Sequence, residues 1–254
     1  MLALALVALA VWAWSPRQPQ WQGRALNEWM EELESVQPKH GGISDVNTNA
    51  TVFHAIRGLG TNCIPALLDR LNPKRERMWD RPLMDLSNYM VKHGVPATWS
   101  MNRLQDDRKI GAAIHGFFVL GEAGAPAIPA LHARLIEPEN TLAKPAAIAM
   151  VRLGPQGIQT LLKELTHSDP LVRDAAAYGL TFSTTKRLDL LRALLGQVHN
   201  PYRGLRSRVA VALSGYGDWP EAALGGIAAL ADDPDEHVRI NALWSLENLL
   251  LRGS

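Results

Sequence analysis

The 254-residue chain predicts an all-α fold, a stack of helical hairpins, and three observations carry that prediction. Prolines following Asn, Glu or Asp mark a period. The pairs Asn72-Pro73, Glu137-Pro138, Asp169-Pro170, Asn200-Pro201 and Asp233-Pro234 are spaced by 65, 32, 31 and 33 residues, so one gap is doubled. Side chains mark the same period: Val172, Arg173, Ala176 and Leu180 recur as Leu205, Arg206, Val209 and Leu213, then as Val238, Arg239, Ala242 and Leu246. The composition is low in aromatics, at 6%, and rich in Ala and Leu, which favours helix over strand. Units that repeat at this period bury together a face that none buries alone.

Each unit reads as two helices. The first is rich in small residues, as in Arg173-Asp174-Ala175-Ala176-Ala177-Tyr178-Gly179-Leu180, which lets a neighbouring helix approach closely. A turn follows at Leu59-Gly60-Thr61, Leu120-Gly121-Glu122 and Leu153-Gly154-Pro155, with glycine at the left-handed position that ends a helix. The second helix carries a Leu/Ile stripe: Ile64, Leu67 and Leu71; Ile128, Leu131 and Leu135; Ile158, Leu161 and Leu165. The Asp-Pro or Asn-Pro pair then closes the unit, its Asp or Asn capping the next helix and its Pro opening that helix's first turn.

Ahead of the array, residues 1–14 form an unbroken apolar run, MLALALVALAVWAW. It is shorter than the ~20 residues of an untilted membrane span, and it fits the hydrophobic region of a signal peptide. No basic residue precedes it. Ala8-Leu9-Ala10 and Val11-Trp12-Ala13 offer small residues for cleavage, so the run is expected to be either a cleaved signal peptide or a retained anchor. Residues 15–50 read as a spacer with one short helix opened by Gly23 and a flexible loop. In that helix Leu26, Trp29, Met30 and Leu33 make one apolar stripe opposite Glu28, Glu31, Glu32 and Glu34. Residues 51–254 are assigned to the array.

The array departs from its period between Lys74 and Lys109, a stretch read as a degenerate or inserted repeat. It carries Trp79, Arg81, Trp99 and Arg103, taken as the candidate protein-binding residues because Trp and Arg dominate interface hot spots. The last helix ends Leu249-Leu250-Leu251, either a cap turned inward or a surface for another chain.

The stretch Asp169-Pro170-Leu171-Val172-Arg173-Asp174-Ala175-Ala176, its echo Asp235-Glu236-His237-Val238-Arg239-Ile240-Asn241-Ala242, and the Leu-Gly-x-x-Ala-x-Pro-Ala-Leu form over 120–131 resemble bacterial HEAT repeats. The leader Gly23-Arg24-Ala25-Leu26-Asn27-Glu28-Trp29 resembles the Gly-Lys-x-Leu-x-x-Trp segment ahead of HEAT arrays in exported bacterial proteins. The resemblance implies a right-handed α-solenoid of about six hairpins. It also implies that Arg173, Arg206 and Arg239, with Asp169 and Asp235, hold the repeats together; the alternative for the arginines is a ladder contacting an anionic ligand.

Composition and motifs narrow the function. A net charge of +1, from 26 basic and 25 acidic residues, supplies no global field for a nucleic-acid backbone. The single cysteine, Cys63, excludes an internal disulfide and a thiolate metal cluster, and reads as a small buried apolar residue. None of the eight histidines is followed by Glu, unlike the His-Glu ligands of HEAT-repeat di-iron hydroxylases. No phosphate-binding glycine loop or hydrolase motif is present. Basic residues crowd 173–208 and acidic ones 217–247, read as solvated helix faces or as a polarised groove. The expected function is a non-catalytic scaffold binding a protein or peptide near a membrane, without cofactor or metal, anchored in the cell membrane or exported. The alternative is a HEAT-like lyase or other small-molecule-handling enzyme.

Overall fold

The computed structural model describes residues 19–35, 51–71, 101–137, 142–183, 188–215 and 220–252. The chain enters through a two-stranded antiparallel hairpin, β1 (Gln20–Trp21) and β2 (Arg24–Ala25), which leads into helix α1 (Leu26–Ser35). The helix therefore opens at Leu26 and not at Gly23. Gly23, with φ +79°, and Gln22, with φ 49°, are the two central residues of the hairpin turn, a conformation that twists two strands correctly and that no helix accommodates. Leu26, Trp29, Met30 and Leu33 are buried, and α1 packs on α2 (Thr51–Leu59) and α4 (Met101–Leu120).

The leader motif thereby acquires physical content. The Trp21 ring meets Trp29 edge to face at 5.5 Å, and Trp29 Nε1 donates to the Trp21 carbonyl at 3.3 Å. The Arg24 guanidinium lies 3.8 Å from the Trp29 ring centroid, while its Nη1 donates to Glu32 at 2.8 Å. Arg70 ties Glu34 to the first hairpin at 2.7 Å.

Hairpins follow in order. After α2 comes α3 (Ile64–Arg70); α4 is followed by α5 (Ile128–Ile136), α6 (Ala143–Arg152) by α7 (Pro155–Glu164), α8 (Pro170–Leu180) by α9 (Leu188–Leu195), and α10 (Arg203–Leu213) by α11 (Pro220–Ala231). Helix α12 (Glu236–Arg252) packs on both α10 and α11. Among the described residues the sixth unit thus shows one helix. The first helices stack in sequence, α4 on α6, α6 on α8, α8 on α10 and α10 on α12. The recurring Leu and Ile of the second helices, from Ile64 to Leu165, are all buried. Gly60, Gly121 and Gly154 have φ of +56°, +52° and +84°, so the same left-handed residue ends α2 and α4 and precedes α7. Cys63 is buried, its thiol donating to the Gly60 carbonyl at 2.9 Å, and burial pushes its pKa up to about 11.

One helical stretch among the described residues, Asp107–Ile136, has the length and hydropathy of a membrane span. It is the run from α4 through a tight turn into α5, and its Phe117, Leu131 and Leu135 are buried in the array core.

The caps depart from the expected register. Asp169 does cap α8, its carboxylate accepting from Leu171 N at 2.8 Å with Pro170 in the first turn. Asn200 and Asp233, however, sit two residues before the residues flanking α10 and α12; their side chains accept from Tyr202 N and Asp235 N, both at 2.9 Å. His167 makes the equivalent turn, its Nδ1 accepting from Asp169 N at 3.0 Å. The prolines mark the period without marking the cap, because Pro201 and Pro234 stand one place earlier in the turn than Asp169 does. Asp169→Ala should cost about 1 kcal/mol, read as a lowered urea midpoint.

Candidate interaction surface

The repeat registers α6, α8, α10 and α12 so that Leu142, Val172, Leu205 and Val238 are equivalent and all buried. In that register Arg173, Arg206 and Arg239 perform one task. Each places Nη1 on two carbonyls of the turn ahead of its helix: His167 and Ser168 at 2.6 and 2.9 Å, Asn200 and Pro201 at 2.7 and 3.2 Å, Asp233 and Pro234 at 2.8 and 3.0 Å. The three arginines are thus directed into the turns.

Arg206 does more. Its Nε and Nη2 donate to both Asp233 oxygens at 2.6 and 2.8 Å, a bidentate pair almost out of solvent. That hydrogen bonding holds the Asp233 carboxyl below the ordinary carboxylate range and the Arg206 guanidinium above its own. Beside it, exposed Arg203 pairs with Asp235 at 3.0 Å, and Asp235 also caps α12 by accepting from His237 N and Val238 N. The basic block and the acidic block therefore meet at the joint between the α10 unit and α12. Among the described residues Arg173 has no such carboxylate partner, since Asn200 stands where Asp233 would; its guanidinium lies 6.0 Å from the Tyr202 ring.

A different set of side chains gathers along the first helices. Lys144 of α6 and Arg208 of α10 both reach Asp174 of α8, at 3.0 and 3.5 Å. Both cations also flank the Tyr178 ring, Lys144 at 5.4 Å and Arg208 at 4.7 Å from its centroid. Phe182 closes on Tyr178 edge to face at 5.2 Å. Arg152, two turns along α6 from Lys144, lies 5.2 Å from the ring of Phe118, an exposed aromatic. Burial lowers the pKa of Arg152, and its Nε has no hydrogen-bond partner among the described residues. The units of α4, α6, α8 and α10 thus contribute to a half-buried ridge of Arg, Lys and aromatic side chains, with Asp174 as its only carboxylate among the residues in these contacts.

Sequence reading missed this ridge because its members are scattered over 118–208 and no short motif contains them. Alignment of the units was the available signal, since it sets Lys144 and Asp174 at one position and Ile148 and Tyr178 at another. Of the residues put forward as protein-binding, Trp79, Arg81 and Trp99 lie outside the described residues. Arg103 lies in the first turn of α4, and its side chain is outside them too. No group of three metal-ligating side chains occurs among the described residues.

No curated protein matches the chain. Solved structures of similar shape include two engineered proteins and human deoxyhypusine hydroxylase in complex with glycerol. The first engineered protein is 19% identical, covering 87% of this chain and 96% of its own, with TM-score 0.39. The hydroxylase is 14% identical, covering 89% and 98%, with TM-score 0.41. The second engineered protein is 17% identical, covering 87% and 68%, with TM-score 0.35. Residues 158–247, from within α7 into α12, match a family model of HEAT repeats, which supports a HEAT-like repeat over that stretch.

Proposed function

We propose that the protein is a non-catalytic scaffold that holds an acidic protein or peptide segment on the first-helix ridge. The observation that supports this reading is Tyr178, flanked by Lys144 and Arg208 from the neighbouring units. Arg and Tyr are over-represented at binding hot spots, and a ridge with several cations and one shared carboxylate favours an anionic partner. Arg152, beside exposed Phe118, extends the surface. The apolar run of residues 1–14 would place this scaffold at a membrane or outside it, on the extracytoplasmic side of a cell. The segment 74–109, with Trp79, Arg81, Trp99 and Arg103, would add a second contact. The test is affinity capture of the tagged full-length protein from its host, comparing wild type with Tyr178→Ala combined with Arg208→Ala. One partner should be recovered stoichiometrically with wild type and fall by about tenfold or more with the double variant at unchanged helical content. Equal recovery would remove the ridge from the reading. A purified protein carrying a stoichiometric light-absorbing ligand and no partner would turn it toward the small-molecule-handling enzyme.

A further inference from the structure

The ridge carries its own carboxylate at a position where the repeat does not require one. Asp174 of α8 lies between cations of the two neighbouring units, its Oδ2 3.0 Å from Lys144 Nζ and its Oδ1 3.5 Å from Arg208 Nε. One unit further on the same contact is neutral. Ser207 of α10 is equivalent to Asp174 and Asn241 of α12 to Arg208, and Asn241 Nδ2 donates to Ser207 Oγ at 2.7 Å. Lys144 and Ile240 fill the Asp174 position on α6 and α12. Among these four aligned helices an acid thus appears there only on α8, the helix whose Tyr178 ring is flanked by both cations.

Depth separates the three charges. The Asp174 side chain is 12% exposed, against 44% for Lys144 and 33% for Arg208, so the acid lies deeper than the cations. An ammonium has three donors and a guanidinium five, and one carboxylate exhausts neither. An arriving carboxylate therefore meets two accessible positive charges and one buried negative charge, half the net attraction that the cations alone would exert. The buried like charge opposes it in a setting where screening by water is incomplete. We infer that Asp174 is a resident competitor that sets how strongly the ridge holds an acidic segment; this rests on the scaffold reading of the ridge. With Asp174 in place the cluster is neutralised by a single partner carboxylate, and the hold on that partner stays weak and readily reversed. Selectivity of this kind comes from a built-in repulsion as much as from the attractive contacts.

The test measures binding of poly-L-glutamate to the full-length protein at low salt, comparing wild type with Asp174→Asn and Asp174→Ser. Serine is the residue the array itself uses at this contact on α10. Both variants should bind the polymer about fivefold tighter or more, and the gain should shrink at about 1 M salt, where charges are screened beyond roughly 3 Å. Glu31→Gln removes an equal charge from the exposed surface of α1 and should stay within about twofold of wild type. Folded Asp174 variants that bind no tighter than wild type, or a gain matched by Glu31→Gln, would overturn the proposal. Loss of helical content in both Asp174 variants would overturn it too, by making Asp174 a strut between units. Tyr178→Ala combined with Arg208→Ala tests the underlying reading separately and should weaken binding by about fivefold or more. If that variant weakens binding while the Asp174 variants gain nothing, the competitor fails alone; if it leaves binding unchanged, the ridge falls with it.

Discussion

Gly157→Ala should lower the thermal midpoint by about 10 °C, among the largest effects of any single methyl in the chain. Gly157 lies in α7, and a Cβ there would run into the Met150 carbonyl oxygen and carbon of α6. The obstacle is backbone, so no side chain can rotate away. The two helices of the hairpin must separate, at a cost of about 3 kcal/mol or more, and each kcal/mol is worth roughly 2–4 °C in a chain of this size. Gly225 of α11 provides the control. Nothing lies within 4 Å of a Cβ there, so Gly225→Ala should stabilise by about 0.5–1 kcal/mol through helix propensity. Differential scanning calorimetry of the pair separates close helix approach from a general sensitivity to glycine replacement.

Arg206→Ala should cost about 2–4 kcal/mol, because it leaves Asp233 buried without its bidentate partner and removes the bonds to Asn200 and Pro201. The midpoint should fall by about 5–15 °C. An unchanged midpoint with lost ligand binding would instead make Arg206 part of an anion-contacting ladder. Acid supplies an independent check on the same pair. The Asp233 carboxyl is held below its ordinary range by Arg206, so its contribution to stability is fully present above about pH 4 and disappears as pH falls through the folded value. Asp233→Asn should therefore melt well below wild type at pH 6, and the difference should shrink below about pH 4. A difference independent of pH would contradict the assignment.

The repeating core was legible because its period is carried by residue types that must be buried wherever the unit recurs. Val172, Leu205 and Val238 mark the first helices, and Leu67, Leu131 and Leu161 the second. The left-handed turns were legible for a similar reason, since few residues other than glycine tolerate φ near +55° at Gly60 and Gly121. Helix starts were less so. Asp, Asn and His perform the same turn at Asp233, Asn200 and His167, and the proline beside two of them drew attention to the wrong residue of the turn. Short strands at the entrance escaped because two residues each are too few to show an alternation. The ridge escaped because it exists only between units: Lys144, Tyr178 and Arg208 are ordinary surface residues of their own helices. On α12 the opposite problem arises, for a helix with Val238, Ala242 and Leu249 inward and Ile240, Leu243 and Trp244 outward has apolar residues on two sides, so periodicity does not say which side is covered.

The scaffold reading is tested most directly by placing a photo-cross-linking amino acid at position 178 of the full-length protein in its native host. Irradiation should yield one discrete adduct with a single protein, mapped by mass spectrometry to an acidic segment, and the same residue at Gln156 should yield none. Absence of any adduct at 178, or equal adducts at both positions, would contradict a partner seated between Lys144 and Arg208.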